Sequence, residues 1–450
     1  MTKVFKLRKG LNIALKGQAA LRCEHVALSK EVALLPDSFP GITPKVMVHV
    51  GDKVKAGDAL FVNKLCPEVI FSSPVSGVVS DVVRGNRRKV LRVVVTPDDT
   101  QEYVDFGVAD VSKLSADEII KLLCSAGLFG YINQLPYAIS TTPDTKPKAI
   151  FVSALRDKPL AANFEYEIEG QEAHFKTGLT ALAKIAKTYL GIGPNQNKLQ
   201  QFQDISNVDI NIFDGPCPAG NVGVQVNHIS PVNKGETVWT VDPTTVLFIG
   251  RLLNTGKVDL RRKIAIVGSE VKDPCYIETI IGEQLSTLLQ DRLLDNKDLR
   301  IVNGNVLTGC KAALTDYVDS RASEITIIPE GNNANELLGW ILPRLNQFSV
   351  SHSYFSWLLP KKDYVLDARI KGGRRHMIMS GEYDKVIPMD IYAEYLIKAI
   401  IVGDIDKMEA LGIYEVSPED FALAEFVDSS KLELQSIVRA GLDMLRKENA

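Results

Sequence analysis

Apolar and polar positions alternate most regularly between Gly41 and Val95. Val48-His49-Val50 leads into a turn at Gly51-Asp52; Val54 opens a second stretch that ends at Gly57-Asp58, and Leu60-Phe61-Val62 follows. After a break at Pro67 the device repeats through Val69-Ile70-Phe71, Ser73-Pro74-Val75 and Gly77-Val78-Val79. A period of two puts the valines on one face of short strands, and glycines supply positive φ at the turns. The stretch therefore predicts a compact all-β unit within residues 1–110. From Ser115 the period changes: Ser115-Ala116-Asp117-Glu118 is a capping box ahead of Ile119, Ile120, Leu122 and Leu123.

Beyond it, strands and helices alternate. Pro147 to Leu155 reads as a buried strand, Gly178 to Leu190 as a helix, Val208 to Phe213 as a second strand, and Val238 to Ile249 as a strand pair. Together they predict a Rossmann-like α/β domain over 111–256. Lys263 to Gly268, Ile277 to Leu289 and Arg300 to Gly304 read as strand, helix and strand, short enough for a β-grasp domain of the soluble-ligand-binding type over 257–330. A mixed segment, 331–387, follows. Met389 to Val402, Ile405 to Leu411, Pro418 to Val427 and Leu432 to Leu445 are helical, with Ser417-Pro418-Glu419-Asp420 as a cap, and predict a C-terminal helical bundle over 388–450. The fold class is α/β multidomain.

Composition adds few constraints. A net charge of −3 with both signs interspersed calls for neither nucleic acid nor an anionic bilayer as partner. No window reaches the roughly 18 apolar residues of a spanning helix, and Met1 to Gly10 has no apolar core of a signal peptide, so a cytoplasmic protein is expected. Cys23, Cys66, Cys124, Cys217, Cys275 and Cys310 lie at least 35 residues apart. A zinc or iron-sulfur site usually draws some of its ligands from one tight loop, so the cysteines read as buried free thiols. His25, His49, His174, His228, His352 and His376 show no metal-ligand spacing.

Several motif frames are present with their chemistry altered. GDxVxxGDxL followed by SPVSGxV resembles the biotinyl/lipoyl hammerhead, a β barrel-sandwich whose carrier lysine sits at a hairpin tip. Counting from Gly57 puts that position near Cys66 or Pro67, with Lys64 out of place. Gly250 to Lys257 has one residue too many between its glycines for a P-loop and lacks the following Ser or Thr. Ala126-Gly127-Leu128-Phe129-Gly130 opens like the flavin loop of NADH-binding subunits, but Tyr131, Ile132, Asn133 and Gln134 stand where that loop has glycines. Asp214 to Gly223, with Pro218, Ala219, Gly220 and Gly223 and with His228 just beyond, follows a buried strand, where open α/β sheets place their sites. The basic clusters Arg84 to Lys89, Arg261-Arg262-Lys263 and Gly372 to His376 read as solvated turns.

In order along the chain, the armless hammerhead, the GPxPAGxxG loop at Gly215 to Gly223, the run Arg300 to Gly309, Glu336-Leu337-Leu338-Gly339-Trp340, and Gln347-Phe348-Ser349-Val350-Ser351 resemble the A-subunit family of sodium-translocating NADH:quinone reductases. That family is related to the C subunit of the Rnf complex and to the NADH-binding subunit of respiratory complex I. Cys217 stands where other members have His. The resemblance implies a peripheral subunit on the cytoplasmic face of the bacterial inner membrane. It would belong to a six-subunit enzyme that couples NADH oxidation and ubiquinone reduction to sodium export. FMN, FAD, riboflavin and iron-sulfur centres would sit in partner subunits and none in this chain; membrane contact would be made only through those partners. Quinone is the implied ligand, with Phe39, Phe129, Tyr131 and Tyr137 as its wall, expected as exposed aromatics on turns. The alternative is a purely structural assembly subunit of that complex or of an Rnf-type one.

Overall fold

The computed structural model describes residues 2–203, 205–295, 298–332, 344–359 and 361–449. Glu336, Leu337, Leu338, Gly339 and Trp340 lie outside these. The first two strands, β1 (Lys3–Lys6) and β2 (Cys23–His25), join sheets formed much later in the chain. The alternating stretch then folds as expected into two facing sheets. The strands are β3 (Val32–Leu34), β4 (Pro44–Val46), β5 (Lys53–Val54), β6 (Ala59–Asn63), β7 (Cys66–Ser72), β8 (Gly77–Arg84) and β9 (Val90–Pro97). They pair in the orders β3-β9-β8-β5 and β4-β6-β7, and Leu60, Phe61, Phe71, Val79, Val93 and Val95 are buried between them. Asn63 pairs with Cys66, so the two-residue turn is Lys64-Leu65. This corrects the position inferred from spacing: Lys64 is at the hairpin tip, and Cys66 and Pro67 lie within β7.

Helix α1 (Ala116–Ser125) starts at the Ser115–Glu118 capping box, with the Ser115 N–H donating to Glu118 Oε2 at 2.8 Å. The second sheet takes β10 (Asn133–Leu135), β11 (Ile139–Ser140), β12 (Ile150–Ser153), β13 (Thr188–Ile192), β14 (Val208–Asp214) and β15 (Val238–Val241) in the order β1-β14-β13-β12-β15-β10-β11. The strands from β1 to β15 in that order are parallel, and β10 and β11 close the edge antiparallel. Helices α2 (Phe164–Glu167), α3 (Glu172–Ile185) and α4 (Val222–Ile229) connect these strands, and α5 (Pro243–Thr255) leads from β15 to the third sheet. Two expectations are corrected. The helix placed at Gly178–Leu190 begins earlier and stops at Ile185, leaving Leu190 buried in β13. The strand pair at Val238–Ile249 is a strand and then a helix, because Asp242 caps α5 through the Thr244 N–H at 2.9 Å and Pro243 occupies its first turn.

The third sheet has the order β19-β18-β20-β16-β17-β2, with β16 (Arg261–Val267), β17 (Cys275–Ile280), β18 (Leu299–Asn303), β19 (Cys310–Ala312) and β20 (Glu324–Pro329). The helix expected from Ile277 is instead β17, antiparallel to β16. Only α6 (Leu285–Leu288) is helical there. The apolar residues 277, 280 and 281 fit a helical period, but pairing with β16 and β2 decided the outcome.

At the C-terminus, α7 (Tyr383–Val386), α8 (Ala393–Val402), α9 (Ile405–Ala410), α10 (Ala422–Val427) and α11 (Leu434–Glu448) pack together. Leu434, Val438, Leu442 and Leu445 form the buried stripe of α11. The Ser417–Asp420 cap opens a 3-10 turn, Pro418–Phe421, ahead of α10. Among the described residues, no helix is long and apolar enough to cross a membrane.

Candidate functional site

The α/β sheet reverses its strand order between β12 and β15, so a ligand would be sought in the crevice beyond the ends of those two strands. That crevice is filled. Three residues past β12, Arg156 Nη1 donates to Glu167 Oε2 at 2.6 Å and Nη2 to Thr244 Oγ1 at 2.9 Å. The Thr244 hydroxyl donates to Glu167 Oε1 at 2.8 Å. From β16 of the third sheet, Arg262 Nη2 reaches the same hydroxyl at 3.1 Å and Glu167 Oε1 at 3.4 Å. The Glu167 side chain is fully buried, and that of Arg262 is 1% exposed. Asp242 Oδ1 stands 3.8 Å from Arg156. The basic cluster at Arg261 is therefore not simply a solvated turn. Arg262 is buried and Lys263 donates to Tyr166 O at 3.0 Å, while Arg261 alone pairs outward with Asp259. Sequence reading missed Arg156 and Glu167. The one available signal was an arginine just past a buried strand.

The Gly215–Gly223 loop leaves β14 and enters α4. Pro218 and Ala219 are buried, and Cys217 N–H donates to Asn12 Oδ1 at 3.0 Å. Burial pushes the Cys217 thiol up, so it stays protonated and is no nucleophile. Gly220 N–H donates to Asp157 Oδ2 at 2.7 Å, and its carbonyl accepts from Ser153 Oγ at 2.7 Å. At Gly223, a Cβ would lie 2.3 Å from Asp420 Oδ2, so only glycine lets this carboxyl of the C-terminal bundle rest on the first turn of α4. Asp420 accepts from Ser417 N–H at 2.9 Å and from Asn221 Nδ2 at 3.4 Å. Beside it, Lys158 pairs with Glu419. A cleft of about 270 Å³ opens next to this pair, lined among others by Asn12, Leu15, Gln18, Asp157 and Asp363. His228 is half-buried, its Nδ1 2.9 Å from Val224 O and its ring edge-on to Phe5 and Phe213, a packed position away from the cleft.

Burial pushes the Asp420 carboxyl up to about 6, with nearby Glu419 adding to the shift. Burial also raises Asp157 and Glu415. A carboxyl raised in the folded state contributes stability that is present below its unfolded value and lost as pH rises through the folded one.

Of the four aromatics expected as a ligand wall, two come together. Phe39 and Tyr131 meet edge to face at 4.9 Å, with Phe71 4.4 Å from Phe39. Phe129 points the other way, onto Trp239 at 5.5 Å. Phe39, Phe129 and Tyr131 are 2%, 0% and 3% exposed, which corrects the expectation of exposed rings. Tyr137 is half-buried in a turn where it and Ala138 have φ of 81° and 47°. Arg439 Nη1 donates to Ala138 O at 3.2 Å, and Asn449 Nδ2 to Tyr137 Oη at 3.3 Å, both from α11 or its end. Arg321 lies behind: Nε donates to Ser38 O at 2.8 Å, Nη2 to Gly130 O at 3.4 Å, and the guanidinium covers the Phe39 ring. The glycines of the flavin-like loop serve packing. A Cβ would lie 2.5 Å from Ser72 Oγ at Gly127 and 2.3 Å from the Phe71 ring at Gly130. The cysteines are free but not uniformly buried: Cys310 is exposed, and Cys23 and Cys66 are intermediate.

Three family models match the chain: the NqrA N-terminal barrel-sandwich hybrid domain over residues 5–98, the NqrA second alpha/beta domain over 114–258, and the NQRA C-terminal domain over 263–313. Among curated relatives, the A-subunit of the Na(+)-translocating NADH-quinone reductase of Neisseria meningitidis serogroup B is 32% identical over 99% of this chain and 100% of its own. Its counterpart in Tolumonas auensis is 34% identical over 98% of this chain and 99% of its own.

Two outcomes follow from this geometry. Arg262→Ala leaves Glu167 with Arg156 as its remaining cation and is expected to cost about 3 kcal/mol in urea unfolding, whereas Arg156→Ala, which removes the closer partner, is expected to cost about 5 kcal/mol; no loss in either would contradict the pairing. Asp420→Asn is expected to stabilise the chain by about 2 kcal/mol above pH 7 and by nothing below pH 4, since only the ionised carboxyl is penalised. A difference independent of pH would contradict the assignment.

Proposed function

Because the chain belongs to the A-subunit family of the Na(+)-translocating NADH-quinone reductases, we propose that it is the peripheral subunit of such a complex. It sits on the cytoplasmic face of a bacterial inner membrane as one of six chains whose joint reaction couples NADH oxidation and quinone reduction to sodium export. FMN, FAD, riboflavin and iron-sulfur centres belong to its partners, and this chain holds no cofactor of its own. The observation supporting that division is the filled crevice. Arg156, Glu167, Thr244 and Arg262 occupy the place where a Rossmann-like sheet would receive a nucleotide. The flavin-like loop agrees, since its remaining glycines are taken up by Ser72 and Phe71.

The contribution to quinone binding lies at the seam between the barrel-sandwich and the flavin-like loop. A quinone needs an apolar wall and a few donors for its carbonyl oxygens. The Phe39 and Tyr131 rings supply the wall. Burial pushes the Tyr131 phenol up and keeps it a donor, and the Arg321 guanidinium stands beside it. Two successive non-glycine residues at positive φ make the Tyr137-Ala138 turn the strained edge of this seam, where a ligand would enter. The tight packing of Phe39, Phe129 and Tyr131 favours a second reading, a structural assembly subunit of this complex or of an Rnf-type one.

Photoaffinity labelling of the purified complex with a quinone analogue separates the two. Label is expected at the Tyr137 turn, and Tyr137→Ala should weaken short-chain quinone binding to the purified chain about tenfold, or roughly 1.4 kcal/mol, by calorimetry. Label confined to other subunits would leave the structural reading.

A further inference from the structure

Residues 344–359, with Lys361 and Lys362, form a loop that closes on its own base. Lys362 Nζ donates to Leu345 O at 3.2 Å and to Asn346 Oδ1 at 2.6 Å. Across the loop, Ser349 N–H donates to Ser356 Oγ at 3.0 Å, and that hydroxyl donates back to Ser349 O at 3.3 Å. Phe348 fixes the loop to the body, its ring 5.8 Å from Tyr364 and 6.4 Å from Phe426. Tyr364 is itself tied to the N-terminal segment, its N–H donating to Ala14 O at 2.9 Å and its carbonyl accepting from Lys16 N–H at 3.0 Å.

In the short turn Phe355–Leu358 only Ser356 is buried. Phe355, Trp357 and Leu358 are 47%, 52% and 56% exposed, and Leu359 and Leu345 add 44% and 57%. Trp357 is held in place by His352, stacked at 5.7 Å. Large apolar side chains gathered on one exposed turn mark an interaction site, unlike the single exposed leucines found on any surface. Charge accompanies it: Arg344, Lys361 and Lys362 are the ionised groups between positions 344 and 362, and Asp363 is the first acidic residue beyond them. Lys361 is exposed, and no hydrogen bond or ion pair engages it among the described residues.

Shape and chemistry together select the occupant. A stable protein interface takes roughly 800 Å² from each side with a matched surface, more than one four-residue turn offers. A bilayer needs no matched pocket: Trp, Phe and Leu enter the boundary between headgroups and acyl chains, and lysines meet anionic phosphates. We propose that this loop is a direct lipid anchor, with Phe355, Trp357, Leu358 and Leu359 inserted into an anionic bilayer and Lys361 against its phosphates. Such an anchor is weak and reversible alone, and adds to the hold of partner subunits. It revises the expectation that partners make all membrane contact. It rests on the sodium-translocating role only for the bilayer being at hand.

Co-sedimentation of the purified full chain with vesicles of phosphatidylethanolamine and phosphatidylglycerol, against phosphatidylcholine alone, tests it. Binding is expected to favour the anionic vesicles, to weaken with salt, to fall about fivefold in Lys361→Gln, and to fall at least about tenfold in the double variant Trp357→Ser, Leu358→Ser. Because these side chains lie outside the core, the variants should melt as the parent does. Brominated acyl chains should quench the parent's tryptophan fluorescence more than that of Trp357→Phe. Equal binding by parent and variants, or no vesicle binding, would overturn the anchor. So would a photoreactive group at Phe355 that labels a protein subunit rather than lipid in the assembled complex. The vesicle assay involves neither quinone nor partners, so its failure leaves the proposed function standing.

Discussion

The arrangement of the molecule depends on one buried carboxylate. Glu167, at the end of α2, has no exposed side-chain surface and lies between two guanidinium groups, Arg156 from the loop after β12 and Arg262 from β16 of the next sheet. A buried charge is tolerable only when it is paired and hydrogen-bonded, so the two sheets cannot separate or slide without exposing or stranding it. The same three side chains and Thr244 close the crevice at the point where the strand order reverses. Joining the two domains and filling the ligand position are thus one structural event.

The same substitution of packing for ligand binding recurs elsewhere. Gly127 and Gly130 keep the outline of a flavin loop, but the space their missing Cβ atoms leave is taken by Ser72 and Phe71 of the barrel-sandwich. At the start of α4, the Asp420 carboxyl of the C-terminal bundle sits against Gly223, in the place from which a ligand would reach the first turn. In each case a position that a related fold would give to a ligand is occupied by a side chain from another part of this chain. Surfaces that stay open include the cleft beside Lys158, the Tyr137 turn and the apolar loop around Trp357.

What could be read from the sequence was what neighbouring residues decide. The Ser115–Glu118 and Ser417–Asp420 caps and the alternation of the barrel-sandwich are local, and they form as read. Asp242-Pro243 was an equally local helix start, overlooked because the apolar run on either side of it also suits strands. The remainder depends on contacts distant in sequence. Nothing near Lys3 or Cys23 shows that these strands pair with Asn211 and Tyr276, more than 200 residues later in the chain. Nothing in Arg261-Arg262-Lys263 distinguishes the solvated arginine from the buried one until β16 is placed beside Glu167. Phe39 and Tyr131, expected on one wall, do touch, but the depth at which they lie is set by Arg321 and the packing of two domains.

If the crevice between β12 and β15 is taken up by Arg156, Glu167 and Arg262, the purified chain has no place for a dinucleotide. Titration with NADH, followed by nicotinamide fluorescence, tests this most directly. No saturable change is expected up to about 1 mM, and saturable binding in the micromolar range, roughly 8 kcal/mol of affinity, would contradict it.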